Sequence, residues 1–230
     1  MKESPESAVA GRMPPGGWAG LLFDLDGTLA DTVDLILRCY RHTMTVHRGR
    51  PLPDAQWLAT IGRPLLDQFA LFARDPEEVL LMRDTYVSHQ NEIHDDLVKP
   101  FPGVSEMLDH FQEVGVPMAI VTSKARKIAR RTLDGCGIGG AFDLLICADD
   151  VANGKPHPEP VELALTRMDL ADRRAEVLFV GDSPYDLRAG RAAGTRTGAA
   201  LWGPYARDTL ELESPDFYFT DVGAVSRTRP

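Results

Sequence analysis

Two spacings of apolar residues alternate along this chain and divide it into a helical segment and a segment of mixed strands and helices. From residue 33 to about residue 97, apolar residues recur every three or four positions, a period typical of amphipathic helices, and no run predicts a strand. Asp31 or Thr32 is the expected cap of a first helix, and Asp75 caps one that starts at Pro76 and reaches about residue 91. We predict two shorter helices between them, at 54–60 and 65–72.

Strand-like apolar runs stand on both sides of the helical segment. Residues 21–24 form a short run before it, and a Pro- and Gly-rich stretch at 99–103 ends it. Helical patterns then alternate with unbroken apolar runs, which lie at 116–121, 142–147, 177–180, 197–201 and 217–219. Such alternation is typical of a parallel sheet covered by helices on both faces. We therefore predict an α/β fold, a doubly wound parallel sheet that an all-helical insert interrupts just after the first strand.

These changes of pattern predict three parts of the chain. Residues 1–17 lack the apolar middle of a signal peptide and are expected to be a disordered tail. Residues 18–32 and 98–230 are expected to form the α/β core domain. Residues 33–97 are expected to form the helical insert.

Composition restricts the possible functions. The 230 residues are 43% apolar and 26% charged, as in ordinary soluble globular proteins. The formal net charge of −9 argues against a general nucleic-acid binder, which depends on clustered Lys and Arg. It permits a small anionic substrate, because a metal ion and a few basic groups can reverse the field locally.

Cysteine usage and hydropathy bear on the compartment. Cys39, Cys136 and Cys147 have no metal-binding spacing, so we interpret them as buried thiols in a reducing compartment. No apolar run approaches the roughly 18 residues of a membrane span. We expect a cytoplasmic protein that does not bind membranes.

Two acids directly follow the first strand. In the sequence LLFDLDGTLADT, Asp24 stands at the strand end and Asp26 two positions later. Because side chains alternate along a strand, both carboxylates can face the same way while Leu25 points into the core, and Gly27 permits a sharp turn. Two adjacent carboxylates usually share a cation or a proton. A polar strand end that merely turns or caps a helix is the alternative interpretation.

Polar groups also follow two later strands. Thr122 and Ser123 follow the 116–121 run, Asp182 follows the 177–180 run with Asp186 shortly after it, and Lys155 lies in a loop with the sequence GKPHPEP. Active sites of open parallel sheets form outside the carboxyl ends of the strands, so we expect these groups to converge. The acids suit Mg²⁺, and the hydroxyl, the lysine and the metal would surround a bound phosphate. Such a set of acids, hydroxyl, lysine and metal ion is typical of sites that catalyse phosphoryl transfer.

These motifs resemble those of the haloacid dehalogenase-like superfamily, within it the phosphoglycolate phosphatase-like branch. The resemblance rests on DLDGT at 24–28, Thr122 after an apolar strand, Lys155 in its loop, and GDSPYD at 181–186. It spans residues 20 to about 202, with an all-helical insert between the first and second motifs. It implies a Rossmann-like core with a helical cap. The acid at Asp26 favours phosphorus chemistry over carbon–halogen cleavage, because the dehalogenases of the superfamily lack it.

The resemblance also implies roles for the four acids. Asp24 would attack phosphorus and form an aspartyl-phosphate. Asp26 would protonate the leaving oxygen and then take a proton from the hydrolytic water. Mg²⁺ would be held by the Asp24 side chain, the Asp26 backbone carbonyl and Asp182, with Asp186 as indirect support.

The remaining implied roles concern substrate binding. Thr122 would hydrogen-bond the phosphoryl oxygens beside Ser123, and Lys155 would neutralise charge on the phosphate and on Asp24. Arg63, in a loop of the insert, would bind an anionic or hydroxylated leaving group. The insert would close over the core and exclude water, with hinges near 30–34 and 97–101. Thr122 as a helix cap, Lys155 as a solvated loop residue and Asp186 as an ordinary first-turn acid are the competing interpretations.

The leading hypothesis is a Mg²⁺-dependent phosphatase for a small phosphorylated metabolite, acting as a monomer or weak homodimer. A phosphosugar mutase of the beta-phosphoglucomutase type is a second hypothesis, because such relatives share both acids and the cap. A third is a catalytically silent protein that binds a phosphorylated ligand. Phosphoglycolate, sugar phosphates, nucleotides and pyrophosphate all remain open as substrates, because they would place the same phosphate in the same core.

Overall fold

The computed structural model describes residues 13–228, and within them the strands form a six-stranded sheet and a two-stranded ribbon. The strands are, in chain order, β1 (Gly20–Phe23), β2 (Ala30–Asp31), β3 (Lys99–Pro100), β4 (Met118–Val121), β5 (Leu144–Ile146), β6 (Val177–Gly181), β7 (Arg196–Ala200) and β8 (Phe217–Phe219). The large sheet has the order β5-β4-β1-β6-β7-β8, and every neighbouring pair in it is parallel. The predicted doubly wound α/β fold is confirmed.

Helices cover this sheet and fill the insert. Four belong to residues 33–97: α1 (Val33–Arg48), α2 (Asp54–Leu58), α3 (Leu65–Ala70) and α4 (Pro76–Leu97). The later ones are α5 (Val104–Glu113), α6 (Arg126–Cys136), α7 (Glu159–Arg167), α8 (Pro184–Ala193), α9 (Arg207–Glu211) and α10 (Gly223–Ser226). Short 3₁₀ turns lie at Gly139–Ala141, Ala148–Asp150 and Ala171–Glu176.

The central strand explains why the sheet is covered on both faces. Leu21 and Phe23 of β1 pack into a cluster with α5 and α10 on one face, whereas Leu22 packs on the other with α7 and α8. All four residues of β1 are buried, as are the four of β4. Side chains alternate between faces, so a strand buried on both faces must be apolar at every position.

The insert has an apolar cluster of its own. Tyr40 stacks on Trp57 with ring centroids 4.5 Å apart, and Phe69 packs against Trp57 at 5.0 Å. Aromatic rings bury a large apolar area per residue, which suits a small helical unit. α1 and α4 are the long helices that hold this cluster between them.

The chain enters and leaves the insert at one place. β2 and β3 pair as an antiparallel ribbon, in which Ala30 lies opposite Pro100 and Asp31 opposite Lys99. The Lys99 ammonium lies 3.3 Å from the Asp31 carboxylate. These pairs fall within the segments predicted as hinges. The two segments that link insert and core are therefore joined by strand pairing, which the sequence did not predict.

Three helices of the insert end at other residues than predicted: α2 and α3 end earlier, at Leu58 and Ala70, and α4 ends later. Asp75 caps α4 as predicted, since its Oδ1 accepts from the Glu78 amide at 2.8 Å, but α4 continues to Leu97 instead of ending near residue 91. The extension carries His94, a polar residue that is fully buried and that an apolar pattern misses. Thr32 is the N-cap residue of α1, as predicted, but its side chain makes no capping hydrogen bond. Its hydroxyl is used in the candidate site instead.

Other predictions concern the tail, the thiols and membranes. Residues 1–12 of the predicted disordered tail lie outside the described residues, and Met13 packs against the core. Cys39, Cys136 and Cys147 are buried free thiols, as predicted. Among residues 13–228, no helix combines the length and the apolar character that a bilayer crossing requires.

Candidate active site

Four of the predicted site residues meet at the carboxyl edge of the sheet. Asp24, Thr122 and Asp182 each directly follow a strand, and those strands, β1, β4 and β6, are neighbours with β1 in the middle. Lys155 comes from the loop before α7, and its Nζ lies 2.7 Å from Asp24 Oδ1. Parallel neighbours end at the same edge, which is why residues up to 158 positions apart in sequence come together there.

The turn after Asp24 requires its glycine. Gly27 has a φ of +85°, and a Cβ at this position would lie 2.6 Å from Asp182 Oδ2. The next residue, Thr28, donates its hydroxyl to Asp182 Oδ1 at 2.6 Å. Leu25 is fully buried in the core, as the alternation of the strand predicts. The turn thus brings the end of β1 into contact with the end of β6.

Lys155 is the cation at the centre of the site. Its side chain is about 1% exposed, and its Nζ donates to Asp24 Oδ1 at 2.7 Å, Asp186 Oδ1 at 2.5 Å and the Val121 carbonyl at 3.2 Å. Burial lowers the pKa of Lys155, but Asp186 and Asp24 more than reverse this effect, so the pKa is raised. The lysine is therefore charged, and the interpretation of a solvated loop residue is wrong.

Asp24, Asp182 and Asp186 form a compact group of buried carboxylates. Each offers an oxygen within 4.8 Å of the others. Burial raises the pKa of Asp24 to about 7, although Lys155 opposes the shift. Burial, with added repulsion from Asp24 and Asp186, raises the pKa of Asp182 well above its usual range. The group holds more negative charge than Lys155 can balance.

The donor set fits a hard divalent cation. Asp182 Oδ2 is buried and has no hydrogen-bond partner among the described residues, and an unpartnered buried oxygen is costly. Carboxylate oxygens in close company are the ligands that Mg²⁺ prefers. A cation between Asp24 and Asp182 would satisfy this oxygen and offset the repulsion between the two acids.

Asp186 has little capacity left for a direct ligand bond. Its Oδ1 accepts from Lys155, and its Oδ2 accepts from the Ser183 amide at 3.1 Å and the Ser183 hydroxyl at 2.5 Å. Ser183 in turn caps α8. The geometry of Asp186 suits a residue that orients Lys155, and its indirect support of the cation stays a prediction.

Asp26 points to a different part of the site. Its Oδ1 accepts from the Thr32 hydroxyl at 2.6 Å and from the Lys124 ammonium at 2.6 Å. Lys124 also donates its backbone amide to Thr122 Oγ1 at 3.2 Å. Sequence reasoning missed Lys124, although it directly follows the Thr122-Ser123 pair. The site therefore contains two lysines, one on each of the two acids of the first motif.

A cavity of about 550 Å³ lies between the insert and the sheet edge. Asp24, Asp26, Thr122 and Lys155 line it from the core, and Arg63 lines it from the insert. The Arg63 guanidinium stands 6.0 Å from the centre of the Tyr185 ring and has no carboxylate partner among the described residues. An unpaired guanidinium in a cavity is suited to bind an anion.

Ser123 also lines this cavity, but its hydroxyl has a partner within the protein. Ser123 Oγ donates to the Gly62 carbonyl of the insert at 2.6 Å. Its predicted contact with substrate stays a prediction. The structure gives it a role that the sequence did not predict, as a bridge between the core and the insert.

Comparison with known proteins agrees with this geometry. The family model described as haloacid dehalogenase-like hydrolase matches residues 21–200. Pyrophosphatase PpaX of Anoxybacillus flavithermus is 39% identical over 197 residues, which cover 86% of this chain and 90% of that protein. Pyrophosphatase PpaX of Bacillus velezensis is 38% identical over 198 residues, which cover 86% and 89%.

Solved structures share the fold at lower identity. A haloacid dehalogenase-like family hydrolase from Streptococcus pneumoniae superposes with a TM-score of 0.78 at 23% identity, over 91% of this chain and 98% of that one. A hydrolase from Pseudomonas syringae gives a TM-score of 0.82 at 20% identity, over 92% and 99%. Both structures therefore share the fold of this chain over about nine-tenths of its length.

Proposed function

Because this chain belongs to the haloacid dehalogenase-like hydrolase family, we propose that it is a Mg²⁺-dependent phosphatase that acts through an aspartyl-phosphate. The observation that carries this proposal is the buried group of Asp24, Asp182 and Asp186 around Lys155, at the floor of the cavity. A carboxylate nucleophile, an oxygen-rich cation site and a fixed ammonium are the groups that phosphoryl transfer requires.

The first step transfers the phosphoryl group to the protein. A carboxylate oxygen of Asp24 attacks phosphorus, and the bond from phosphorus to the leaving oxygen breaks. Asp26 donates a proton to that leaving oxygen. Lys155, 2.7 Å from Asp24, binds the phosphoryl oxygens and opposes protonation of the buried carboxylate.

The second step releases phosphate. Asp26, now ionised, accepts a proton from a water molecule that attacks the phosphorus of the aspartyl-phosphate. The acyl-phosphate bond breaks, and Asp24 returns as a carboxylate with inorganic phosphate as product. Thr122, which directly follows β4 beside the end of β1, donates its hydroxyl to a phosphoryl oxygen in both steps.

The proposed cation is held by the Asp24 side chain, the Asp26 backbone carbonyl and Asp182. When bound, Mg²⁺ neutralises phosphoryl charge and lowers the repulsion between phosphate and Asp24. Asp186 supports this arrangement through Lys155, whose Nζ it contacts at 2.5 Å.

We propose that residues 33–97 act as a cap that closes on the core formed by residues 18–32 and 98–230. The β2–β3 ribbon, which joins the two crossings, would then be the hinge about which the cap moves. The cap contributes Arg63 to the cavity, where the guanidinium binds the leaving group.

Pyrophosphate is the substrate that we propose first. Relatives at 38% and 39% identity are named as pyrophosphatases. The cavity above Asp24 is also lined by three further cations, Arg63, Arg83 and Lys124, which suit a leaving group that is itself a phosphate. Phosphoglycolate has an anionic leaving group as well and is the second substrate to test.

Phosphate release with Mg²⁺ tests the proposal. Purified protein is assayed with pyrophosphate, phosphoglycolate, a hexose phosphate and phenyl phosphate, with and without Mg²⁺. Asp24→Asn is expected to abolish release, and Asp109→Asn, an exposed acid on α5, to leave it unchanged. Wild-type turnover in Asp24→Asn contradicts the mechanism, and an isomerised hexose phosphate without free phosphate supports a mutase instead.

A further inference from the structure

Three core hydroxyls bind three carbonyls of one short loop in the insert, residues 59–63. Tyr185 Oη donates to the Ala59 carbonyl at 3.1 Å, and Tyr205 Oη donates to the Ile61 carbonyl at 2.9 Å. Ser123 Oγ donates to the Gly62 carbonyl at 2.6 Å. The loop thus receives side-chain hydrogen bonds from the core at three of its five residues.

The three donors belong to separate parts of the core. Ser123 follows β4, Tyr185 lies in the first turn of α8, and Tyr205 lies between β7 and α9. Neither tyrosine lines the cavity, whereas Ser123 does. The loop is therefore held from more than one side, which fixes its position better than three bonds from one segment would.

The loop also approaches the core too closely for larger residues. Gly62 has a φ of +104°, and a Cβ there would lie 2.5 Å from Ser183 Oγ. A Cβ at Gly154, in the lysine loop of the core, would lie 2.4 Å from Pro64 Cγ. The hydrogen bonds and the close backbone approach together describe a closed arrangement of insert and core.

The consequence of this arrangement is the position of Arg63. Its amide donates to the Thr60 carbonyl at 3.2 Å, within the loop, and its guanidinium lies over the Tyr185 ring at 6.0 Å. The guanidinium has no acidic partner among the described residues, so the position of this charge depends on the loop and on the Tyr185 ring. A displacement of the loop would carry the charge away from the cavity.

We propose that Ser123, Tyr185 and Tyr205 are positioning residues that latch loop 59–63 onto the core and so hold Arg63 against an anionic leaving group. The inference rests on the proposed phosphatase function and adds to it the residues that hold Arg63 in place for a leaving group that carries its own negative charge. The tyrosines act through the loop and do not touch the substrate. A latched loop reduces the ordering that substrate binding would otherwise require.

Kinetics with two kinds of leaving group test the latch. Tyr185→Phe, Tyr205→Phe and the double variant are assayed with pyrophosphate and with phenyl phosphate at saturating Mg²⁺. We expect KM for pyrophosphate to rise at least about fivefold in the double variant, the fold-change of roughly one net hydrogen bond. For phenyl phosphate, whose leaving group is neutral once protonated, we expect KM and kcat to stay within about twofold, since Arg63 gains little from it.

Hydrogen exchange provides a readout independent of turnover. Peptides that cover loop 59–63 are expected to exchange faster in the double variant, while peptides from the sheet are unchanged. Tyr218→Phe is the matched control, because Tyr218 lies on edge strand β8 against Arg207 and does not contact the insert. Ser123→Thr, which keeps a hydroxyl, is expected to retain slow exchange, and Ser123→Ala to lose it.

The outcomes separate the latch from the function. Unchanged loop exchange together with unchanged KM for pyrophosphate in an active double variant overturns the latch. An equal rise in KM for both substrates also overturns it, because the effect would then not depend on the charge of the leaving group. A wild-type protein that releases no phosphate refutes the proposed phosphatase, whereas the exchange measurement still decides whether the loop is latched.

Discussion

The Lys124 ammonium lies 2.6 Å from Asp26 Oδ1, on the same oxygen that accepts the Thr32 hydroxyl. Two donors on one oxygen fix the rotamer of the carboxylate and leave the other oxygen free to face the leaving group. Lys155 does the same for Asp24, which it contacts at Oδ1. Each acid of the first motif thus has its own lysine, and the pair of Lys124 with Asp26 was not predicted.

Replacing Lys124 with Met should lower kcat by about tenfold to a hundredfold, a part of the 10²–10⁴ that general acid–base catalysis contributes. Asp26 keeps the Thr32 bond but loses the charged donor that orients it. Steady-state phosphate release measures the effect. Lys127→Met is the control, because Lys127 is exposed on helix α6, which begins just after Lys124, and the change should leave kcat unchanged. A wild-type kcat in Lys124→Met would show that Lys124 does not orient Asp26.

Gly62→Ala should both destabilise the protein and raise KM. Its φ of +104° disfavours any Cβ, and the added carbon would lie 2.5 Å from Ser183 Oγ. We expect a loss of about 1 kcal/mol or more in the free energy of unfolding, measured by urea denaturation. Gly49→Ala supplies the comparison, because Gly49 has a φ of +73° but open space around its Cβ. It should show the stability loss with no change in KM; equal KM values in the two variants would contradict the prediction.

The site residues at the carboxyl edge of the sheet could be predicted because each of them stands in a recognisable local sequence pattern. Asp24, Thr122 and Asp182 come directly after apolar runs, and parallel strands bring their carboxyl ends to one edge. Lys155 follows a glycine and precedes two prolines, in a loop that belongs to no strand or helix. For these residues the local pattern and the topology together determine the neighbourhood.

The contacts between insert and core could not be predicted in this way. Tyr205 and Ser123 lie 144 and 61 residues from the carbonyls they bind, and no repeating pattern in the sequence predicts contacts over such separations. The burial of His94 could not be predicted either. Its imidazole is hydrogen-bonded inside the protein, but in the sequence it looks like any polar, exposed position. Hydrogen bonds between side chains and distant backbone groups depend on how the insert packs on the core, and local sequence patterns do not indicate that packing.

Removing the carboxylate of Asp182 should stabilise the protein in chelator and abolish its response to Mg²⁺. Burial raises the pKa of Asp182, and repulsion from Asp24 adds to this, so the ionised form is unfavourable without a cation. A raised carboxyl pKa costs stability above the unfolded value of 3.8, and Asp182→Asn removes that cost while Asn can still accept from Thr28. Thermal unfolding at pH 8 should give a higher Tm than wild type in chelator.

With Mg²⁺ in place of chelator, the same measurement should give the opposite order of Tm, with wild type above Asp182→Asn. Wild-type protein should gain Tm as Mg²⁺ increases, because a ligand that binds only the folded state stabilises it. Asp182→Asn should show no such gain over the same range. The idea fails if the variant responds to Mg²⁺ like wild type, or if the variant is less stable than wild type in chelator.

His94 should make stability fall as the pH drops below about 6.5. The ring is fully buried where α4 meets α6, with Nδ1 2.8 Å from Asp95 Oδ1 and Nε2 2.9 Å from Thr132 Oγ1. Burial lowers the pKa of His94, and the nearby Lys124 and Arg131 lower it further, although Asp95 opposes them. The unfolded chain therefore takes up a proton at pH values where the folded chain does not, and acid favours unfolding. The stability from the neutral ring is complete above pH 6.5 and is lost towards the lower, folded pKa.

Urea denaturation at pH 7.5, 6.5 and 5.5 measures this dependence. His94→Gln lacks the titrating ring at position 94, so its free energy of unfolding should fall less between pH 7.5 and 5.5 than that of wild type. His157→Gln, at an exposed loop position, should keep the wild-type slope. Equal slopes in all three proteins would mean that His94 takes up its proton as readily in the folded protein as in the unfolded chain, and the contact between α4 and α6 would then not oppose its charging.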